Sequence, residues 1–372
     1  MQSVVLTAAL CISSSLPYFI KSLEQILDKH IQPCNCFTKR KEIQHLRRIM
    51  IYMKKNKLAL YITLLCLIVT LCGCTLPQST TGSGEKLNIV CTIFPQYDFC
   101  REIAGESADV NLLIDRAVDL HSYEPTASDI VEISKCDVFI TVGGVSDNWV
   151  DAALNASGNE NMKVIQIMDY CTLLTETEEG IIQEHEHDSH EEGHAEEYDE
   201  HVWTSLKNAQ NIVAGLTDVL SELDPKNSEI FQENAGRYIA QLKDLDHRYE
   251  EMIQTSQRQF LLFADRFPFL YLMNDYSLSW LAAFPGCSAE TEASFQTMAQ
   301  LISTVEEHNL PYVLTIDGSD KSVAEAVCRQ TGAQSLELNS CQSITQKMIQ
   351  EGITYIEIME SNFSVLKEAL NK

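Results

Sequence analysis

At 372 residues, 45% of them hydrophobic and 22% charged, the chain has the composition of an ordinary globular protein and is long enough for two compact domains. Its net charge of -26 is unevenly spread: residues 1–73 hold 10 of the 27 Lys and Arg but only 3 of the 53 Asp and Glu, leaving 17 basic and 50 acidic residues in 74–372. A body this acidic repels nucleic acid and anionic lipid and attracts cations, although solubility alone is also served by such a charge.

In chain order, the first readable segment is "MKKNKLALYITLLCLIVTLCGC", Met53 to Cys74. A short basic stretch (Lys54, Lys55, Lys57) precedes an apolar run from Leu58 to Leu71, too short for a comfortable membrane span and suited to a signal peptide. Its Leu71-Cys72-Gly73-Cys74 ending resembles a bacterial lipoprotein box, with Cys74 as the lipidated residue; a single-pass anchor is the alternative. Residues 1–52 would then stand upstream of a complete signal and are expected to be a misassigned extension, and 53–73 the signal itself. Residues 74–85, rich in Ser, Thr and Gly, read as a tether.

From Lys86 the pattern alternates. "KLNIVCTIF", "ADVNLLI", "DVFITVGG" and "MKVIQIM" are short, apolar and β-branched, and "PQYDFCREIAGE" and "TASDIVEISKC" between them have helical spacing. A long helical pattern from Asp224 to Gln257 carries Ile230, Phe231, Tyr238, Leu242, Leu245 and Tyr249 at steps of mostly three to four. A second alternating region follows: strands in "QFLLFADRF", "LSWLAAF", "PYVLTIDG" and "QSLELNS", with helices between and after them. The expected fold is α/β, with two lobes that each hold a mostly parallel sheet flanked by helices, joined by one long rigid helix. The expected limits are 86–222 for the first lobe, 223–257 for the linking helix and 258–372 for the second lobe.

Between the fourth strand and the next helix lies "HEHDSHEEGHAEEYDEH", residues 185 to 201, which overlaps an acidic His-rich loop spanning 184–200. Its HEEGH matches H-E-x-x-H, which in zinc proteases needs an amphipathic helix with the Glu as base. The flanks offer almost no apolar face and Gly193 weakens a helix, so peptidase chemistry is disfavoured. A loop in which His185, His187, His190 and His194 share a metal fits better; a merely solvated loop is the plain alternative. His121, in "VDLHSYEPTASDI", and His201, in "DEHVWTSLKNA", fall at loop-to-helix junctions, where α/β proteins place ligands.

These segments resemble the substrate-binding lipoproteins of zinc and manganese ABC transporters. "VDLHSYEPTASDI" is similar to the family's H-x-Y-E-P motif, "DEHVW" to its D-P-H-V-W, and "ADRFPFLYLMNDYSLSWLAAFPGCSAETEASFQTMAQLI" to the region of its third ligand. The resemblance covers Lys86 to Lys372 and implies a metal in the cleft between the lobes. It implies His121 and His201 as ligands, Asp265 as the third, and Asn339 at the fourth position, with Asp317 as another candidate there. Two imidazoles and a carboxylate suit Zn2+, with Mn2+ as the alternative. Cys287 and Cys341 could form a disulfide or stand as two separate thiols. The implied role is that of a receptor, not an enzyme. It would be lipid-anchored and likewise monomeric on the outer face of a bacterial cell membrane, delivering Zn2+ to a permease with a cytoplasmic ATPase. An adhesin on the same fold is the reading from another class.

Overall fold

In a computed structural model of the chain, residues 86–114, 120–177, 179–182, 197–287, 292–342 and 344–372 are described. The signal segment, Cys74, His185, His187, His190 and His194 lie outside them. The chain divides between Gly84 and Glu85, and every described residue belongs to the second unit.

The first lobe runs β1 (Leu87–Cys91), α1 (Phe94–Ala104), β2 (Ala108–Leu112), α2 (Ala127–Ile133), β3 (Val138–Thr141), α3 (Val150–Ser157) and β4 (Lys163–Gln166). The strands form one all-parallel sheet in the order β2-β1-β3-β4. Val138 to Thr141 are buried throughout, as expected of a central strand covered on both faces. Helix α1 stops at Gly105, whose φ of 54° suits a residue without a Cβ. Helix α2 opens on a capping box: Asp129 N donates to Thr126 Oγ1 (3.4 Å) and Thr126 N to Asp129 Oδ2 (2.7 Å). Such a cap contributes about 1 kcal/mol and fixes where the preceding loop, which carries His121, meets the helix.

Two long helices follow, α4 (Leu206–Leu223) and α5 (Ser228–Gln254). At 1.5 Å per residue α5 spans roughly 40 Å. It buries Phe231, Ala235, Tyr238, Leu242, Leu245, Tyr249 and Met252, alternating steps of four and three along one face. Ile230, expected on that face, is 46% exposed. The helix also starts later than Asp224: that residue closes α4 through Asp224 N to Leu220 O (2.9 Å), and its carboxylate accepts from Asn227 Nδ2 (2.7 Å), forming the turn between the helices.

The second lobe runs β5 (Phe260–Phe267), α6 (Leu270–Asp275), β6 (Ser279–Pro285), α7 (Phe295–His308), β7 (Tyr312–Ile316), α8 (Ser322–Thr331), β8 (Gln334–Leu338), α9 (Gln346–Glu351) and α10 (Tyr355–Asn371). Its sheet is again parallel, in the order β6-β5-β7-β8. In both sheets the chain steps first to one side of the opening strand and then to the other. That creates a crevice at the carboxyl ends of β1/β3 and of β5/β7, the place where open α/β sheets take ligands.

The lobes share one continuous apolar core and are tied by buried hydrogen bonds. Trp203 Nε1 donates to Ser340 O (2.8 Å), and the Tyr355 hydroxyl donates to Trp203 O (2.7 Å). The Tyr249 hydroxyl on α5 donates to Met359 O on α10 (2.6 Å). Residues 180–182 lie along β6: Ala282 N donates to Gly180 O (2.8 Å) and Ile182 N to Ala282 O (3.0 Å). The acidic segment therefore leaves from the second lobe's sheet edge. It returns at Glu197, whose carbonyl accepts from Glu176 N (2.8 Å).

Candidate metal centre

His121 lies in a 3-10 turn, Leu120–Ser122, between β2 and α2. Buried Leu120 anchors that turn, and the Tyr123 hydroxyl donates to Asp129 Oδ2 (2.8 Å). His201 begins the turn Val202–Thr204 that leads into α4 and is fully buried. The Thr204 hydroxyl donates to His201 O (2.9 Å), and the indole of Trp203 stacks edge-on at 5.4 Å from the His201 ring. The fold brings the two imidazoles to a centroid separation of 5.4 Å.

Each imidazole has a carboxylate on its Nδ1. Glu200 Oε1 stands 3.0 Å from His121 Nδ1, and Asp199 Oδ1 stands 3.2 Å from His201 Nδ1. Asp199 Oδ1 also accepts from His201 N (2.8 Å), and its backbone carbonyl accepts from the Tyr271 hydroxyl (2.6 Å). Glu200 Oε2 accepts from Ser146 N (3.1 Å) and Ser146 Oγ (2.6 Å). A carboxylate on one ring nitrogen fixes the tautomer and aims the other nitrogen, the arrangement that orients histidine ligands in metal sites. His201 Nε2 is buried with no hydrogen-bond partner. A buried polar atom in that state costs on the order of 1–3 kcal/mol unless something binds it.

The local electrostatics favour a cation. Burial pushes the Glu200 carboxyl up, but the hydrogen bonds from His121 and Ser146 and the charge of His201 outweigh it and hold the group at about 2. Glu200 is therefore a carboxylate at any physiological pH. Burial pushes the His201 imidazole down, but Asp199, Glu200 and Glu176 together hold it above its ordinary value.

Two glycines make room for this arrangement. A Cβ on Gly144, just past β3, would stand 2.1 Å from Glu200 Oε2. A Cβ on Gly286, just past β6, would stand 2.8 Å from Phe267 O and 3.1 Å from His201 Cε1. The Gly286 loop carries Cys287, whose Sγ lies 3.6 Å from Glu200 Oε1. One donor atom from each of His121, His201 and Cys287 lies within 4.8 Å of the other two.

The other expected residues are not brought to this cluster. Asp265 sits at a register shift in β5, between Phe263 and Arg266. There its carboxylate accepts from Arg266 N (2.8 Å), Ile316 N (3.1 Å) and the Ser319 hydroxyl, so it ties β5 to the loop after β7. Asn339 Oδ1 accepts from Cys341 N (2.8 Å), and its backbone pairs with the Asn362 amide. Asp317 stands in the turn after β7, where its Oδ1 accepts from Ser340 N (2.5 Å) and ties that turn to the loop after β8. The disulfide is not formed: Cys287 and Cys341 are both free thiols, and Cys341 Sγ is buried against Met359 Sδ at 3.7 Å. The sequence reading passed over Glu200 and Asp199, hidden in an acidic tract, and weighed Cys287 only as half of a disulfide or as a separate thiol, not as a ligand. The usable signal for Cys287 was its place after Pro285-Gly286 at the carboxyl end of a strand.

Residues 89–369 match the family model described as zinc-uptake complex component A, periplasmic. Over 326 residues the chain is 31% identical to the high-affinity zinc uptake system protein ZnuA of Bacillus subtilis, covering 86% of this chain and 99% of that protein. It is 32% identical over 318 residues to the zinc-binding lipoprotein AdcA of Streptococcus pneumoniae, covering 85% of this chain but only 62% of that longer protein. The Zn(II)-bound ZnuA-like domain of that AdcA superposes with a TM-score of 0.64 at 29% identity, covering 77% of this chain and all of the domain. The chain belongs to the ZnuA family, described as the periplasmic component A of a zinc-uptake complex.

Proposed function

We propose that the chain is an extracytoplasmic receptor, lipid-anchored through Cys74 and monomeric, that captures Zn2+ between its lobes. It hands the ion to a membrane permease driven by a cytoplasmic ATPase. The observation that carries this reading is the His121–His201 pair at 5.4 Å, each ring held at Nδ1 by a buried carboxylate. Two oriented imidazoles in an anionic surround form the core of a site for a borderline divalent cation. The names of the Bacillus subtilis and Streptococcus pneumoniae relatives support zinc as that cation.

The role is binding and release, so no residue needs to act as an acid, base or nucleophile. His185, His187, His190 and His194 would serve as an accessory collector that raises the local concentration of metal. The shared core and the Trp203 and Tyr355 hydrogen bonds support small adjustments of the lobes on loading in place of a wide hinge swing.

The test is zinc titration of the metal-free full-length chain. One tight Zn2+ per chain is expected, lost in His121→Ala and in His201→Ala and retained when residues 184–195 are deleted. Tight binding that survives both histidine substitutions, or vanishes only with the loop, would overturn the reading.

A further inference from the structure

We propose that the Cys287 thiolate is the third metal ligand, taking the place expected for Asp265, so that the cleft is a two-imidazole, one-sulfur site for thiophilic divalent cations. The inference rests on the His121–His201 reading above and adds to it the donor that sets selectivity.

Five observations carry it. The donor atoms of His121, His201 and Cys287 lie within 4.8 Å of one another, and among the described residues these three form the group of His, Cys, Asp or Glu able to surround one ion. A tetrahedral zinc with bonds of about 2.0–2.3 Å separates its ligands by roughly 3.5 Å, so small side-chain rotations close the set. His201 Nε2 is buried without a hydrogen-bond partner, and its Nδ1 is already committed to Asp199. The missing Cβ of Gly286 lets the loop bearing Cys287 approach His201 Cε1. Cys287 is a free thiol, and its one hydrogen bond in this cluster goes to Glu200 Oε1, the oxygen that also orients His121. The carboxylates that could have replaced it are engaged elsewhere, Asp265 with Ile316 N and Asp317 with Ser340 N.

Loading breaks the S–H bond of Cys287, releases that proton to solvent and forms a metal–sulfur bond; no electron is transferred. The product has one thiolate and two neutral imidazoles around a divalent ion. Sulfur favours Zn2+ and Cd2+ and disfavours Mn2+, which prefers carboxylate, carbonyl and water oxygen. The site thus rejects manganese by donor type and not by size.

The competing explanation is a structural thiol that merely hydrogen-bonds Glu200. Cys287→Ser separates the two, because the hydroxyl keeps a donor for Glu200 but removes the sulfur. The probe is Co2+ bound to the full-length chain under anaerobic, reducing conditions. Wild type should show near-ultraviolet sulfur-to-cobalt charge-transfer absorption, and Cys287→Ser should lose that band. The serine variant should also lose zinc affinity by more than the roughly 10–100-fold that removal of an outer partner costs, while its manganese affinity changes little. A wild-type chain that binds one Co2+ without the charge-transfer band, or a serine variant that holds zinc as tightly as wild type, would overturn the Cys287 assignment and leave the histidine pair standing. A chain that binds neither metal tightly would overturn both.

Discussion

The Glu200 carboxylate stands 3.0 Å from His121 Nδ1 and comes from the residue directly before His201. One backbone step therefore supplies both a cleft imidazole and the group that aims the opposite one. The same carboxylate holds Ser146 through its second oxygen, locking the loop after β3 against the site. In Glu200→Gln the amide oxygen can still accept from one of these partners, but the charge is lost. Zinc affinity should fall by roughly 10–100-fold, as for other outer partners of histidine ligands. Competition titration with a chelator of known affinity measures this directly, and unchanged affinity would remove Glu200 from the account.

Gly286→Ala tests the approach of the loop after β6. The new methyl would meet Phe267 O at 2.8 Å and His201 Cε1 at 3.1 Å, a backbone atom and a fully buried ring that have no room to give. The loop must retreat and carry Cys287 with it. Zinc affinity should drop by about tenfold, or about 1.4 kcal/mol, while the metal-free protein keeps its Tm within a few degrees. Calorimetric titration beside a thermal melt separates the two effects, and an equal loss in both would mean that the alanine simply damages the fold.

The alternation of strands and helices was legible in the sequence because both periods repeat without interruption from Lys86 onward. His121 and His201 were legible because each stands where an α/β chain leaves a loop for a helix. The third donor was not. Asp265 looks available in "ADRF", but a register shift between Phe263 and Arg266 turns its carboxylate toward Ile316 N. Such a shift is a property of the paired sheet and leaves no mark on one strand's sequence. Cys287 meets His201 only because two lobes close on each other, a long-range contact that no local pattern encodes. Asp199 and Glu200 carry the same carboxylate as Glu197 just before them; burial separates them, since Glu197 is exposed.

The clamp between the lobes should be measurable through Tyr355→Phe. Its hydroxyl donates to Trp203 O (2.7 Å) from a fully buried position, and Trp203 in turn donates to Ser340 O. The substitution leaves the ring's packing intact and strands a buried carbonyl, which costs about 1–3 kcal/mol. Urea denaturation of the metal-free chain should show that loss. Because Trp203 sits two residues past His201, a smaller loss of zinc affinity should accompany it, and a large stability change with no effect on zinc would show that the clamp does not reach the site.

Asp98 gives the clearest pH dependence. It is fully buried on α1, where its Oδ2 accepts from the Tyr238 hydroxyl on α5 (3.1 Å) and from Tyr355 N on α10 (2.9 Å). Burial pushes its carboxyl up to about 6, against the pull of those two hydrogen bonds and with some help from the charge of Glu102. In the unfolded chain it returns to an ordinary value of about 4. Between about pH 4 and pH 6 the native state therefore holds a proton that the unfolded state has lost, so stability falls as pH rises through that window. Above pH 6 the penalty of burying the charge is complete, on the order of 3 kcal/mol for a shift of about two units. Asp98→Asn keeps an acceptor for Tyr238 and Tyr355 N but never ionises. The stability difference between Asp98→Asn and wild type should grow in the variant's favour from pH 4 to pH 6 and then level off. Urea melts of both metal-free proteins at half-unit pH steps measure that difference curve, in which the titrations common to both proteins cancel. A flat curve would mean that Asp98 titrates normally in the native state and that water or Arg101, 3.8 Å away, solvates its charge.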